Sequence, residues 1–208
     1  MVRQARSRSS LIALAFLALV AAAPARADEG LCARLQIPAQ LGLTCTPGEA
    51  GSADQIVTVQ PTGGAFAALS RLTVRRLDRS TDALAWSDPD EWLRRQVVVD
   101  TGAIADGIED FAEDPDSPWG GATAMLMAQQ VRDALERMSR AALQACTAPA
   151  TLGNRREMSC RFGAAPLALL LTMRLVSQGD ERWAVSLRSM NEQRQRHFEA
   201  IANSFQPG

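Results

Sequence analysis

The chain has 208 residues, with 22 basic side chains against 23 acidic ones and a formal charge of −1 at pH 7. Every basic residue is arginine and tyrosine is absent, a pattern read as codon bias before function. Neither nucleic acid nor an anionic membrane is expected as the main partner, because both select a basic footprint that this chain lacks.

At the N-terminus, Arg3, Arg6 and Arg8 precede an uncharged apolar run over residues 11–23, and Ala25-Arg26-Ala27 follows. That is the layout of a secretory signal peptide with a small-x-small cleavage site. The apolar run is shorter than the ~18 to 20 residues a spanning helix needs, so residues 1–27 are expected to be removed rather than to anchor the chain. No cysteine stands at the cleavage point to take a lipid, and no Arg-Arg pair precedes the apolar run. Cleavage removes four arginines and no acid, so the remaining chain is more acidic. Residues 28–208 are of a size to form a single domain with a real core, in the periplasm or outside the cell.

Four cysteines lie beyond the leader: Cys32, Cys45, Cys146 and Cys160. An even count in an oxidising compartment reads as a disulfide framework, for which three pairings exist. The sequence-local pairing, Cys32–Cys45 with Cys146–Cys160, is expected because each pair brackets one turn-rich segment. A zinc site is the alternative, but it has no Cys-x-x-Cys doublet and no histidine near the cysteines.

Residues 28–54 read as loop and short extended pieces, broken by Pro38, Gly42, Pro47 and the run from Gly48 to Ser52. Residues 56–59 read as a strand, Pro61-Thr62-Gly63-Gly64 as a turn, and residues 66–77 as a longer strand. In that strand Leu72 and Val74 alternate with Arg71, Thr73 and Arg75. Asp88 suits a helix N-cap, Pro89 the first helical position, and Glu91 completes a capping box. The β-branched run Val97-Val98-Val99 interrupts that helical pattern, and residues 104–112 read as a further short helix. An acidic linker loop follows, and residues 124–145 read as the longest helix.

Met158, Cys160 and Phe162 alternate as a strand, and residues 167–176 read as a strand buried on both faces. Gln178-Gly179-Asp180-Glu181 turns it into a hairpin partner carrying Trp183, Val185 and Leu187. Ser189 with Glu192 reads as a capping box for a last helix, whose face is Phe198, Ile201, Ala202 and Phe205. Strands, helices, strands, helix is the order of an α+β domain, an antiparallel sheet covered by helices in an α/β/α sandwich-like arrangement.

Ile37-Pro38 followed by Leu41-Gly42-Leu43, and the closing hairpin followed by Phe198-x-x-Ile201-x-x-Ser204-Phe205, faintly resemble the PsbP-like superfamily of α/β/α sandwiches. These stretches cover about a third of the chain beyond the leader. The resemblance implies a non-enzymatic assembly or binding role and transfers no functional residue. The chain departs from it at Leu43, where members often carry an aromatic, and in its two expected disulfides.

Asp100, in Val97-Val98-Val99-Asp100-Thr101-Gly102-Ala103, carries the string closest to a catalytic motif. It looks like the core of the aspartic-protease signature, in which two such carboxylates share a proton. One copy is present, so catalysis would need a symmetric dimer or a second, divergent Asp. The competing reading is a helix or strand end with Asp100 a satisfied polar group. His197 is the only histidine, and it precedes the apolar anchor Phe198; it reads as a partly exposed structural residue.

Asp106, Glu109, Asp110, Glu113, Asp114 and Asp116 are acids that could form a Ca²⁺ module or a solvated face. Their spacing lacks the Asp-x-Asp-x-Asp-Gly pattern. Among Trp86, Trp92, Trp119 and Trp183, Trp119 stands in a Pro- and Gly-rich loop and is the candidate contact residue. Arg75-Arg76 and Arg94-Arg95 are candidate grips for an anion, with solvated charge as the plainer reading. With no complete catalytic constellation, no cofactor and no metal site expected, the sequence points to an exported binding or assembly accessory protein with a protein partner. A dimeric aspartic-type hydrolase and a Ca²⁺ module are the alternatives.

Overall fold

Two runs of antiparallel strands meet edge to edge in one seven-stranded sheet. The computed structural model describes residues 27–48, 56–63, 69–113, 142–163 and 168–207. The first run is β1 (Leu43–Pro47), β2 (Ile56–Pro61) and β3 (Arg71–Arg76). The second is β4 (Ala150–Leu152), β5 (Arg155–Phe162), β6 (Leu169–Gln178) and β7 (Glu181–Ser189). Their order across the sheet is β1-β2-β3-β7-β6-β5-β4, with every pairing antiparallel. Helices α2 (Leu84–Ser87) and α3 (Pro89–Glu113) lie between the two runs in sequence. Helix α1 (Ala27–Arg34) precedes them, and α4 (Glu192–Ser204) closes the chain. The α+β class and the antiparallel sheet expected from the sequence are what the chain forms.

The register sorts side chains onto two faces, because successive residues of a strand point to opposite sides. On one face Val57 and Val59 of β2, Leu72 and Val74 of β3, and Trp183, Val185 and Leu187 of β7 pack with Leu31, Leu35, Phe198, Ile201 and Phe205. Helices α1 and α4 therefore cover that face. On the other face Met158, Cys160 and Phe162 of β5 and Leu171, Met173 and Leu175 of β6 pack with Trp92, Leu93, Val97 and Ile104 of α3. The sheet is thus sandwiched between helices, with a separate apolar core on each side.

The hairpins turn where glycine permits it. Gly179 (φ 57°) and Gly153 (φ 64°) each open a two-residue loop between strands paired up to the turn, a position where a positive φ excludes most other residues.

Local structure departs from the sequence expectation in four places. Residues 27–34 are helical rather than loop. A two-turn helix is marginal by itself, but Leu31 and Leu35, four residues apart, are buried against the sheet and Cys32 is bonded to Cys45 of β1. The second departure is α3, one continuous helix of 25 residues rather than two pieces. Val97 is buried in the core, and the Thr101 hydroxyl donates back to the Val97 and Val98 carbonyls, both at 2.9 Å, which satisfies it within the helix.

Third, α4 is capped by Asn191, whose side chain accepts from the Gln193 and Arg194 N–H groups, and not by Ser189. Asn191 wins because its carboxamide oxygen reaches both N–H groups; Ser189, two residues earlier, hydrogen bonds to Asn191 instead. Glu192 pairs with Arg161 rather than reaching back to a cap. Fourth, β3 starts at Arg71, and Phe66, where the strand was expected to begin, lies outside the described residues. So does most of the helix expected over residues 124–145, of which residues 142–145 form a 3-10 turn. The Asp88 cap of α3 is as expected: its carboxylate accepts from the Glu91 N–H at 3.0 Å.

Both sequence-local disulfides are formed, Cys32–Cys45 and Cys146–Cys160, and no free cysteine remains. The zinc alternative is excluded by that pairing, since a bonded sulfur has no thiolate to offer.

Candidate functional site

The seam between the two strand runs, where β3 pairs with β7, carries the polar cluster that stands out. On its α4 side the opposed pairs are Leu72–Leu187 and Val74–Val185. On its α3 side they are Arg71–Arg188 and Thr73–Ser186. Helix α3 covers β5 and β6 and presents Asp100 at its margin, over β7. There the Ser186 hydroxyl donates a hydrogen bond to Asp100 Oδ2.

Arg188 is 8% exposed, while Arg71, Thr73, Ser186 and Asp100 are half-buried. Burial pushes the Arg188 guanidinium down to about 10; the like charge of Arg71 adds to that shift and the Asp100 carboxylate opposes it. The group remains a cation at neutral pH, and it is held there at a cost.

Asp100 thus sits inside a helix, whereas the aspartic-protease signature needs a strand and tight turn; Gly102 likewise has helical backbone. The carboxylate accepts from Ser186 and faces the Arg188 charge, the surroundings of a counter-ion. Ser186 and Asp100 have no imidazole between them. The only histidine, His197, is on α4, the helix that covers the opposite face of the sheet, where it is half-buried.

The other candidate residues are dispersed. Arg75 makes a two-pronged contact with Asp82, both N–O distances 2.9 Å, and Arg76 pairs with Glu181. Arg94 and Arg95 both face Glu91, at 3.8 and 3.0 Å. These two arginine doublets are therefore engaged by the protein's own carboxylates. Trp92 and Trp183 are buried, and Trp183 meets Phe205 edge to face at 5.3 Å. Trp86 lies beneath the guanidiniums of Arg79 and Arg182 at 5.9 and 5.4 Å. Trp119 lies outside the described residues, as do Asp114 and Asp116.

Asp106, Glu109 and Asp110 are on α3, in the stretch expected to be helical, and Glu113, expected to begin the acidic loop, is the last residue of that helix. Among the described residues no three His, Cys, Asp or Glu side chains converge as a metal site would require. No described helix is long and apolar enough to cross a membrane.

The Arg71–Arg188 pair escaped the sequence reading because the residues are 117 positions apart and only the β3–β7 register joins them. The usable signal was Arg71 itself, alternating with Leu72 on a half-buried strand. No protein-family model matches this chain, and no curated protein matches it.

Proposed function

We propose that this chain is an exported, non-enzymatic binding or assembly accessory protein of the periplasm or the extracellular space, acting through a protein partner. Its N-terminal 27 residues serve as the cleaved signal. The pairing of all four cysteines supports an oxidising compartment. The same kind of role is what the PsbP-like resemblance implies.

The observation that carries the non-enzymatic reading is the setting of Asp100, the residue with the strongest motif-level claim to chemistry. It lies within α3, accepts a hydrogen bond from Ser186 and neighbours the buried Arg188. A carboxylate so engaged is suited to fixing a cation and a helix, not to activating water. Trp119, in its Pro- and Gly-rich stretch of sequence, is the proposed contact residue.

The test is reciprocal capture. The purified, disulfide-intact protein is used as bait against extract of its own periplasm, and the protein it retains is then used as bait in turn. The reading expects one partner recovered in both directions by wild type and by Asp100→Asn, and lost on Trp119→Ala. Recovery of no partner, or hydrolytic activity that disappears in Asp100→Asn, would count against it. N-terminal sequencing of the exported protein is expected to begin at Asp28.

A further inference from the structure

Arg79 and Arg182 hold their guanidiniums over one indole, that of Trp86, at 5.9 and 5.4 Å from the ring centre. Trp86 is half-buried against the core on the α3 side, Arg182 is half-buried, and Arg79 is exposed. The ring attracts both cations but carries no formal charge to neutralise them. Burial, and then the like charge of Arg79, push the Arg182 guanidinium down from its ordinary range. The carboxylates nearest in the chain are engaged elsewhere. Asp82 takes both prongs of Arg75, Glu181 pairs with Arg76, and Asp78 accepts from the Ser80 N–H and hydroxyl. Among the described residues no carboxylate pairs with Arg79 or Arg182.

The backbone around these side chains is fixed. Arg182 donates from Nη1 to the Ala85 carbonyl of α2, and its own carbonyl accepts from the Leu77 N–H at 2.9 Å, just past the end of β3. The Asp82 N–H donates to the Asp78 carbonyl at 2.8 Å, closing the turn that carries Arg79. Nε and Nη2 of Arg182 have no protein acceptor and are not sealed from solvent.

We infer that Arg79 and Arg182, held together at Trp86, form a binding site for an oxyanion, the carboxylate or phosphate group of a ligand. Each guanidinium presents a planar fork of N–H donors that matches two oxygens of such a group. Arg182, held by Ala85 and the ring, supplies the fixed half, and Arg79 supplies the half that solvent reaches. An anion between them relieves a repulsion that the indole leaves in place. The doublets Arg75-Arg76 and Arg94-Arg95 are engaged by the protein's own carboxylates, whereas this pair is open to a ligand's. The site rests neither on the proposed protein partner nor on Trp119.

The test is titration of the full exported chain, disulfides formed, with inorganic phosphate and separately with sodium succinate. Ionic strength is held constant with chloride, and the arginine Nε–H and Trp86 indole N–H resonances are followed by NMR. Saturable binding of at least one probe is expected, with the Arg79, Arg182 and Trp86 signals shifting together. Saturation by phosphate alone identifies a tetrahedral ligand group, and by succinate alone a carboxylate. Arg79 is exposed, so its replacement leaves the fold intact. Arg79→Gln is expected to weaken binding by about tenfold or more, and Arg79→Lys, which keeps the charge but loses the fork, by less. Arg196→Gln removes the same charge from an exposed position on α4, over the opposite face of the sheet, and is expected to leave binding unchanged. Absence of saturation in the wild type by about 10 mM of both probes overturns the proposal. Binding by Arg79→Gln equal to wild type does so as well, as does an equal weakening in Arg196→Gln, which would reduce the effect to net charge.

Discussion

Along the β3–β7 seam, neighbouring residues of the same two strands meet opposite fates. Leu72 and Leu187, Val74 and Val185 face α4 and are essentially inaccessible, packed with Trp183, Phe198 and Ile201. Arg71 and Arg188, Thr73 and Ser186 face the α3 side, where the covering helix gives way to a half-buried polar surface edged by Asp100. The backbone is shared, so the contrast comes from what each face meets. It teaches that one strand pair can supply the fold with its core and still hold polar groups in fixed register on its other side.

The contrast can be broken most violently on the apolar side. Trp183→Ala is expected to cost about 3–5 kcal/mol, because the ring is fully buried and its loss leaves a cavity beside Phe205. Urea unfolding monitored by far-UV circular dichroism measures it. Opening the Cys32–Cys45 disulfide by a double change to serine is expected to cost about 3 kcal/mol, since it releases α1 from β1. The same measurement applies, and the Leu31 and Leu35 contacts give the loss a structural reading by hydrogen exchange in α1.

Asn191→Ala removes the side-chain acceptor for two N–H groups at the start of α4 and is expected to cost about 1 kcal/mol. At the small end, Arg71→Gln on the polar side is expected to change stability by no more than about 0.5 kcal/mol, with a gain as the favoured sign. A loss of several kcal/mol there would mean that the polar side is a second structural core.

Burial of Arg188 sets the expected pH behaviour. A base whose folded pKa is depressed costs stability wherever it is protonated in the folded state, and that cost fades only as pH rises through about 10. Its contribution is therefore flat through the neutral range, where it is fully charged.

Much of the architecture was legible because period-2 alternation and capping chemistry are local. Met158, Cys160 and Phe162, the Gly179 turn, the Asp88 cap and the Phe198–Ile201–Phe205 face could all be read directly from the sequence. Helix α1 was not, because its stability comes from burial of Leu31 and Leu35 against the sheet and from the Cys32–Cys45 bond to β1, neither of which shows in local periodicity. The continuity of α3 was obscured by three consecutive valines, whose weak helix preference is overridden by packing of Val97 and by the Thr101 back-bond. The polar cluster was the least legible, since register alone joins Arg71 to Arg188 and Asp100 to Ser186. Asp100 drew notice for a motif whose geometry the helix does not have, and its actual neighbours lie on β7.

The most direct measurement is the unfolding free energy of Trp183→Ala beside that of Arg71→Gln, in urea under one set of conditions. A loss of about 3–5 kcal/mol for Trp183→Ala is expected, against a change of no more than about 0.5 kcal/mol for Arg71→Gln. Comparable losses for the two variants would contradict the contrast, since both faces of the seam would then hold the fold alike.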